Sequence, residues 1–168
     1  ICFLSTTAWA QMALPIQQAV LPKNNLVVHY DFSKSATFTR GGTTVNNLSG
    51  NSTGNASILN SPFFINSLGY VSLDGVNEYL VTSNLRSYFK SVNSSVQSSF
   101  SMSFWIYPTA ASGVVISELD SQTPSSGWHA STVELNNNVF KYRLWPSSTA
   151  ISSTSITLNQ WYHVALSY

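Results

Sequence analysis

Residues 156–168 read ITLNQWYHVALSY. After Trp161 the chain alternates Tyr162, Val164, Leu166 and Tyr168 with His163, Ala165 and Ser167, the period of two that marks a half-buried strand. The polar residues before it read as a turn. Because the run reaches Tyr168 still in strand register, the domain is expected to continue beyond it. The 168-residue chain alone is then expected to lack partners for a central strand and to aggregate through the uncovered edge.

Working back toward the N-terminus, short alternating runs are separated by turn residues every 8 to 12 or so positions, the spacing of an all-β sandwich. The pattern predicts strands at 26–32, 55–59, 69–73, 78–82, 99–107, 113–119, 128–135, 138–145 and 161–168. A helical turn is expected only at Leu85 to Phe89. Asn24-Asn25, Gly41-Gly42, Ser49-Gly50-Asn51, Asp74-Gly75 and Asn136-Asn137-Asn138 supply the breaks, since Asn, Asp and Gly tolerate positive φ. The Asn triplet separates STVEL (131–135) from VFKYRLW (139–145), so these two runs should form an antiparallel hairpin.

Four segments in order carry a family resemblance. LVVHYDF (26–32), LDGVNEYL (73–80), FSMSFWIYP (100–108) and the closing W-x-H-V-A strand are similar to the first strand, the F-D-G-V-x-D-Y turn, the F-T-I-S-x-W-V-x-P strand and the closing signature of laminin G-like, concanavalin A-like domains. The resemblance spans residues 26–168 and implies an antiparallel jelly-roll β-sandwich. It implies packing positions for Trp105 and Trp161. It leaves function open, because this fold hosts lectins, enzymes and adhesive spacers.

Composition points the same way. Charged residues are only 8% of the chain while Ser, Thr and Asn supply 59 of 168, which describes a polar, almost uncharged surface. The net charge of +1 is spread over scattered Lys and Arg residues, so no footprint for nucleic acid or for an anionic membrane exists. The length suits one domain. Ile1 to Leu4 is apolar and Ala8-Trp9-Ala10 has the A-x-A form of a cleavage site, so residues 1–10 read as the tail of a signal peptide. An ordinary apolar start is the alternative. Residues 11–25, with Pro15 and Pro22, read as a linker. Cleavage would remove Cys2, the only cysteine, leaving the domain to be held by its core alone.

Candidate binding residues cluster near the hairpin. Phe140, Tyr142 and Leu144 share one strand face, and Val139, Lys141, Arg143 and Trp145 share the other. The first set reads as core. Trp145 beside Lys141 and Arg143 has the form of a platform for a sugar ring, and Trp128 and His129, after the polar loop 121–127, are candidates on the same grounds. Rim packing is the ordinary alternative for each Trp. His29 and His163 stand alone without metal spacing, so they read as satisfied, half-buried side chains.

Glu118-Leu119-Asp120 begins like the E-x-D-x-E strand of related glucanases. In that pattern alternate carboxylates point into one cleft and flank a glycosidic bond. Here Gln122 and Thr123 occupy the positions where the acid/base would stand, and neither can supply and retake a proton. Hydrolysis is therefore not expected. A nucleophile elbow and a phosphate loop are both absent from the sequence. The sequons at Asn47, Asn51, Asn55 and Asn93 matter only in a eukaryotic secretory route. Calcium is the one cofactor the resemblance suggests, with Asp120 and Asp74 as candidate oxygen ligands; Asp74 also reads as a turn former. The expectation is a secreted or surface-displayed, non-catalytic glycan-binding or adhesion module within a larger protein, with a glucanase or a ligandless spacer as alternatives.

Overall fold

The computed structural model describes residues 24–38, 42–60, 69–82, 85, 99–119, 129–143 and 149–167. The strands are β1 (Thr44–Val45), β2 (Ala56–Leu59), β3 (Tyr79–Thr82), β4 (Ser101–Ile106), β5 (Gly113–Leu119), β6 (His129–Asn136), β7 (Val139–Arg143), β8 (Thr149–Ile151) and β9 (Tyr162–Ser167). All pairings are antiparallel. They form sheets ordered β1-β2-β3, β4-β9 and β5-β6-β7-β8, and a 3-10 turn at Ser52–Gly54 is the one helical element among the described residues. The chain is an all-β antiparallel sandwich, as the alternation predicts.

Alternation also explains the core. In β9, Tyr162, Val164 and Leu166 are half-buried while His163, Ala165 and Ser167 are exposed. β4 repeats this with Met102, Phe104 and Ile106 inward. The inward residues of this two-stranded sheet meet those of the four-stranded sheet: Val133 and Tyr142 pack with Phe104, Leu166, Ile116 and Phe140. A register shift in β5 between Val114 and Ile116 sends both Val115 and Ile116 to that core and leaves Val114 60% exposed. The extra residue of a bulge has this effect on side-chain direction.

The Asn hairpin forms as its sequence demands. Asn137 and Asn138 have φ of 49° and 63°, the paired positive values of a two-residue turn matched to strand twist. Asn136 and Val139 close the ladder. Phe140 and Tyr142 lie on the core side as expected; Leu144 lies outside the described residues.

The expected first strand is not one. Residues 26–31 run without a strand ladder, because the side chain of Asn47 takes its backbone groups. Asn47 Oδ1 accepts from the His29 N–H at 2.8 Å, and Asn47 Nδ2 donates to the Val27 carbonyl at 2.8 Å and to the Asn51 carbonyl at 2.7 Å. The Ser49 hydroxyl also donates to Val27 at 2.9 Å. Side-chain amides can satisfy main-chain groups that a sheet would otherwise pair. Gly54 sits so close that a Cβ there would collide with the Asn47 amide. Tyr30 and Phe32 still reach a core of Phe38, Val45, Ala56 and Ile58. Of the expected strand at 69–73, only an isolated bridge at Val71 forms.

Candidate functional site

Two outer faces carry the chemistry. On the four-stranded sheet, Lys141 lies between Glu134 and Ile151, and Arg143 is opposite Thr149. Together these five residues line an open depression of about 470 Å³. Lys141 Nζ stands 4.0 Å from Glu134 Oε1, a half-exposed ion pair of the kind that contributes only about 0.2–1 kcal/mol. Arg143 is exposed. The structure therefore brings Lys141 and Arg143 to one face, as alternation requires. Trp128 and Trp145 lie outside the described residues, and His129 enters β6 by its backbone alone.

The second face was missed by sequence reasoning. On β4 and β9, Trp105 pairs with His163, and their rings lie 5.1 Å apart at 43°. Just beyond the ladder, the Tyr107 and Trp161 rings lie 5.4 Å apart, and Tyr70 meets Trp161 edge-on at 5.5 Å. Trp105 is 60% exposed, Tyr107 43% and Trp161 38%. The expectation that Trp105 is a packing position and His163 half-buried is thus corrected. Both sit on the odd-numbered, outward side of their strands, whereas the core contacts come from Met102, Phe104 and Leu166. Trp161 is partly covered by its aromatic neighbours. Ser101, Ser103 and Ser167 continue this exposed face, and the Ser101 hydroxyl donates to that of Ser167 at 3.4 Å. Strand parity separates Trp105 from Met102 and Phe104, but it does not say which of the two sides the partner sheet covers.

Asp74 forms the turn that its Asp-Gly pair announces. Asp74 Oδ1 accepts the backbone N–H groups of Val76, Asn77 and Glu78 at 2.8, 3.2 and 3.3 Å, and Glu78 Oε2 accepts the Asp74 N–H at 2.8 Å. These bonds, that from Val76 foremost, hold the carboxyl below its usual range. Asp120 lies outside the described residues, and among those described no cluster of three or more metal-ligating side chains occurs. Asp31 is likewise held low, chiefly by the Ser33 hydroxyl that donates to it. Glu118 lies in β5 opposite Ala130.

The laminin G-like family model described as the concanavalin A-like lectin/glucanases superfamily matches residues 74–168, more than half of the chain. That span contains β3 to β9, hence both outer faces. No curated protein and no solved structure matches.

Proposed function

Because the chain belongs to the concanavalin A-like lectin/glucanases superfamily, and is at family level a carbohydrate-binding or structural module, we propose that it binds neutral glycans without catalysing their cleavage. It acts as a secreted or surface-displayed module of a larger protein, attaching that protein to a glycan-bearing surface. The observation that carries this reading is the outward aromatic row Trp105, His163, Tyr107 and Trp161. An indole exposed on a rigid strand offers its face to the C–H side of a sugar ring. The neighbouring hydroxyls of Ser101, Ser103 and Ser167 can both donate to and accept from sugar hydroxyls. No charged side chain of β4 or β9 stands on this face, which favours an uncharged ligand.

The sequence supports the non-catalytic part. Glycoside hydrolysis needs two carboxyl groups flanking the bond, and after Glu118 and Asp120 the positions where the second would stand hold Gln122 and Thr123.

Neutral oligosaccharides of glucose, galactose and mannose, titrated into the chain, test the reading. Trp105→Ala should weaken binding about tenfold, as for a lost aromatic contact of order 1.4 kcal/mol, with a nearly unchanged melting temperature. Equal binding by the variant, or none by the parent, would overturn it. Release of reducing sugar from laminarin, abolished by Glu118→Gln, would overturn the non-catalytic reading.

A further inference from the structure

Arg143 closes β7, exposed, with no ion pair or hydrogen bond to its guanidinium among the described residues. It opens on the depression of about 470 Å³ that Glu134, Lys141, Thr149 and Ile151 also line. We propose that this depression is a second ligand site, one that takes a carboxylate-bearing sugar, a hexuronate residue, with Arg143 as the carboxylate clamp. The inference goes beyond the proposed function and stands on different residues.

Charge and shape select that class. One acid and two bases leave the site a single positive charge, the complement of one carboxylate. A phosphate would bring a second negative charge to the same point, against Glu134, whereas an oligouronide carries a single carboxylate on each ring. The planar guanidinium offers two parallel N–H donors that match a carboxylate. Lys141 is held by Glu134 only at 4.0 Å, so its ammonium can turn toward an incoming anion. Thr149, directly opposite Arg143, adds a hydroxyl for the ring oxygens. Ile151, 61% exposed beside it, gives an apolar wall for the C–H face. The volume lies within the range of small-molecule sites, which hold roughly 300–1,000 Å³. The site is on the opposite side of the sandwich from the aromatic row, because the inner faces of the two sheets meet in one core.

Calorimetric titration of the chain with trigalacturonate, and with the matched neutral galactotriose, is the test. Trigalacturonate should bind, and more weakly as ionic strength rises. Arg143→Gln should lower that affinity about tenfold, the scale of one lost charge-assisted pair, and Arg143→Lys should recover only part of it. Trp105→Ala should leave trigalacturonate binding unchanged, which separates this site from the aromatic row. Failure of trigalacturonate to bind, or an Arg143→Gln variant that binds it as the parent does, would each overturn the proposal. So would loss of acid binding on Trp105→Ala.

Discussion

The outer face of β4-β9 and the outer face of β5-β6-β7-β8 follow the same rule and end with opposite chemistry. Each is the half of an alternating pattern that its sheet does not bury. On the first face the outward positions hold Ser101, Ser103, Trp105, His163, Ala165 and Ser167; on the second they hold Glu134, Lys141, Arg143, Thr149 and Ile151. The shared core of Val133, Tyr142, Phe104 and Leu166 fixes both faces rigidly. Alternation thus decides which residues stand together, and side-chain chemistry alone decides what they can hold.

The largest expected effect comes from a lesion that touches neither face. Asn47→Ala removes the amide that holds residues 27, 29, 49 and 51, and should cost about 3 kcal/mol because several part-buried backbone groups lose their partners together. Chemical denaturation measures it. Below the transition the ratio of neutral to acidic glycan binding should stay that of the parent; a changed ratio would show that the two faces depend on this region.

Alkaline pH probes the same region more gently. Burial pushes the Tyr30 hydroxyl from 10.0 up to about 12, and it donates to the Gly54 carbonyl. Since the folded value lies above the unfolded one, this contribution is fully present below pH 10 and is lost as pH rises through about 12. Tyr30→Phe should flatten that part of the stability profile, read by thermal melts across the alkaline range.

The smallest effect sharpens the contrast between the faces. Glu134→Gln frees Lys141 and leaves the second face more basic, so trigalacturonate affinity should rise about two- to threefold, in proportion to a weak surface ion pair. Neutral oligosaccharide affinity should not move. Calorimetry at low and high salt checks both.

Much of this was legible because it depends on short-range pattern. β5 has the predicted bounds, and the predicted 99–107 and 161–168 contain β4 and β9. The Asn136–Asn138 turn identified its own hairpin. The two- and three-residue strands β1 and β8 escaped notice, since two or three residues display no period. Residues 26–32 were read as a strand because alternation cannot reveal that an Asn twenty residues later will take the backbone's hydrogen bonds. The site divides similarly. Lys141 and Arg143 follow from parity. The exposure of Trp105 does not, because an alternating strand with apolar residues on both sides gives no sign of which side is covered until its partner sheet is in place. The family resemblance implied packing for Trp105, and in the structure Met102 and Phe104 are the half-buried residues that meet the core instead.

Everything said of the first face rests on neutral sugars stacking on β4-β9. A proton–nitrogen correlation spectrum of the chain, recorded while a binding neutral oligosaccharide is added, tests it most directly. Shifts are expected only at the indole N–H groups of Trp105 and Trp161 and at the amides of Ser103, Tyr107, His163 and Ala165, with Lys141, Arg143 and Thr149 unmoved. Shifts centred on β7 and β8 with a silent Trp105 would contradict it.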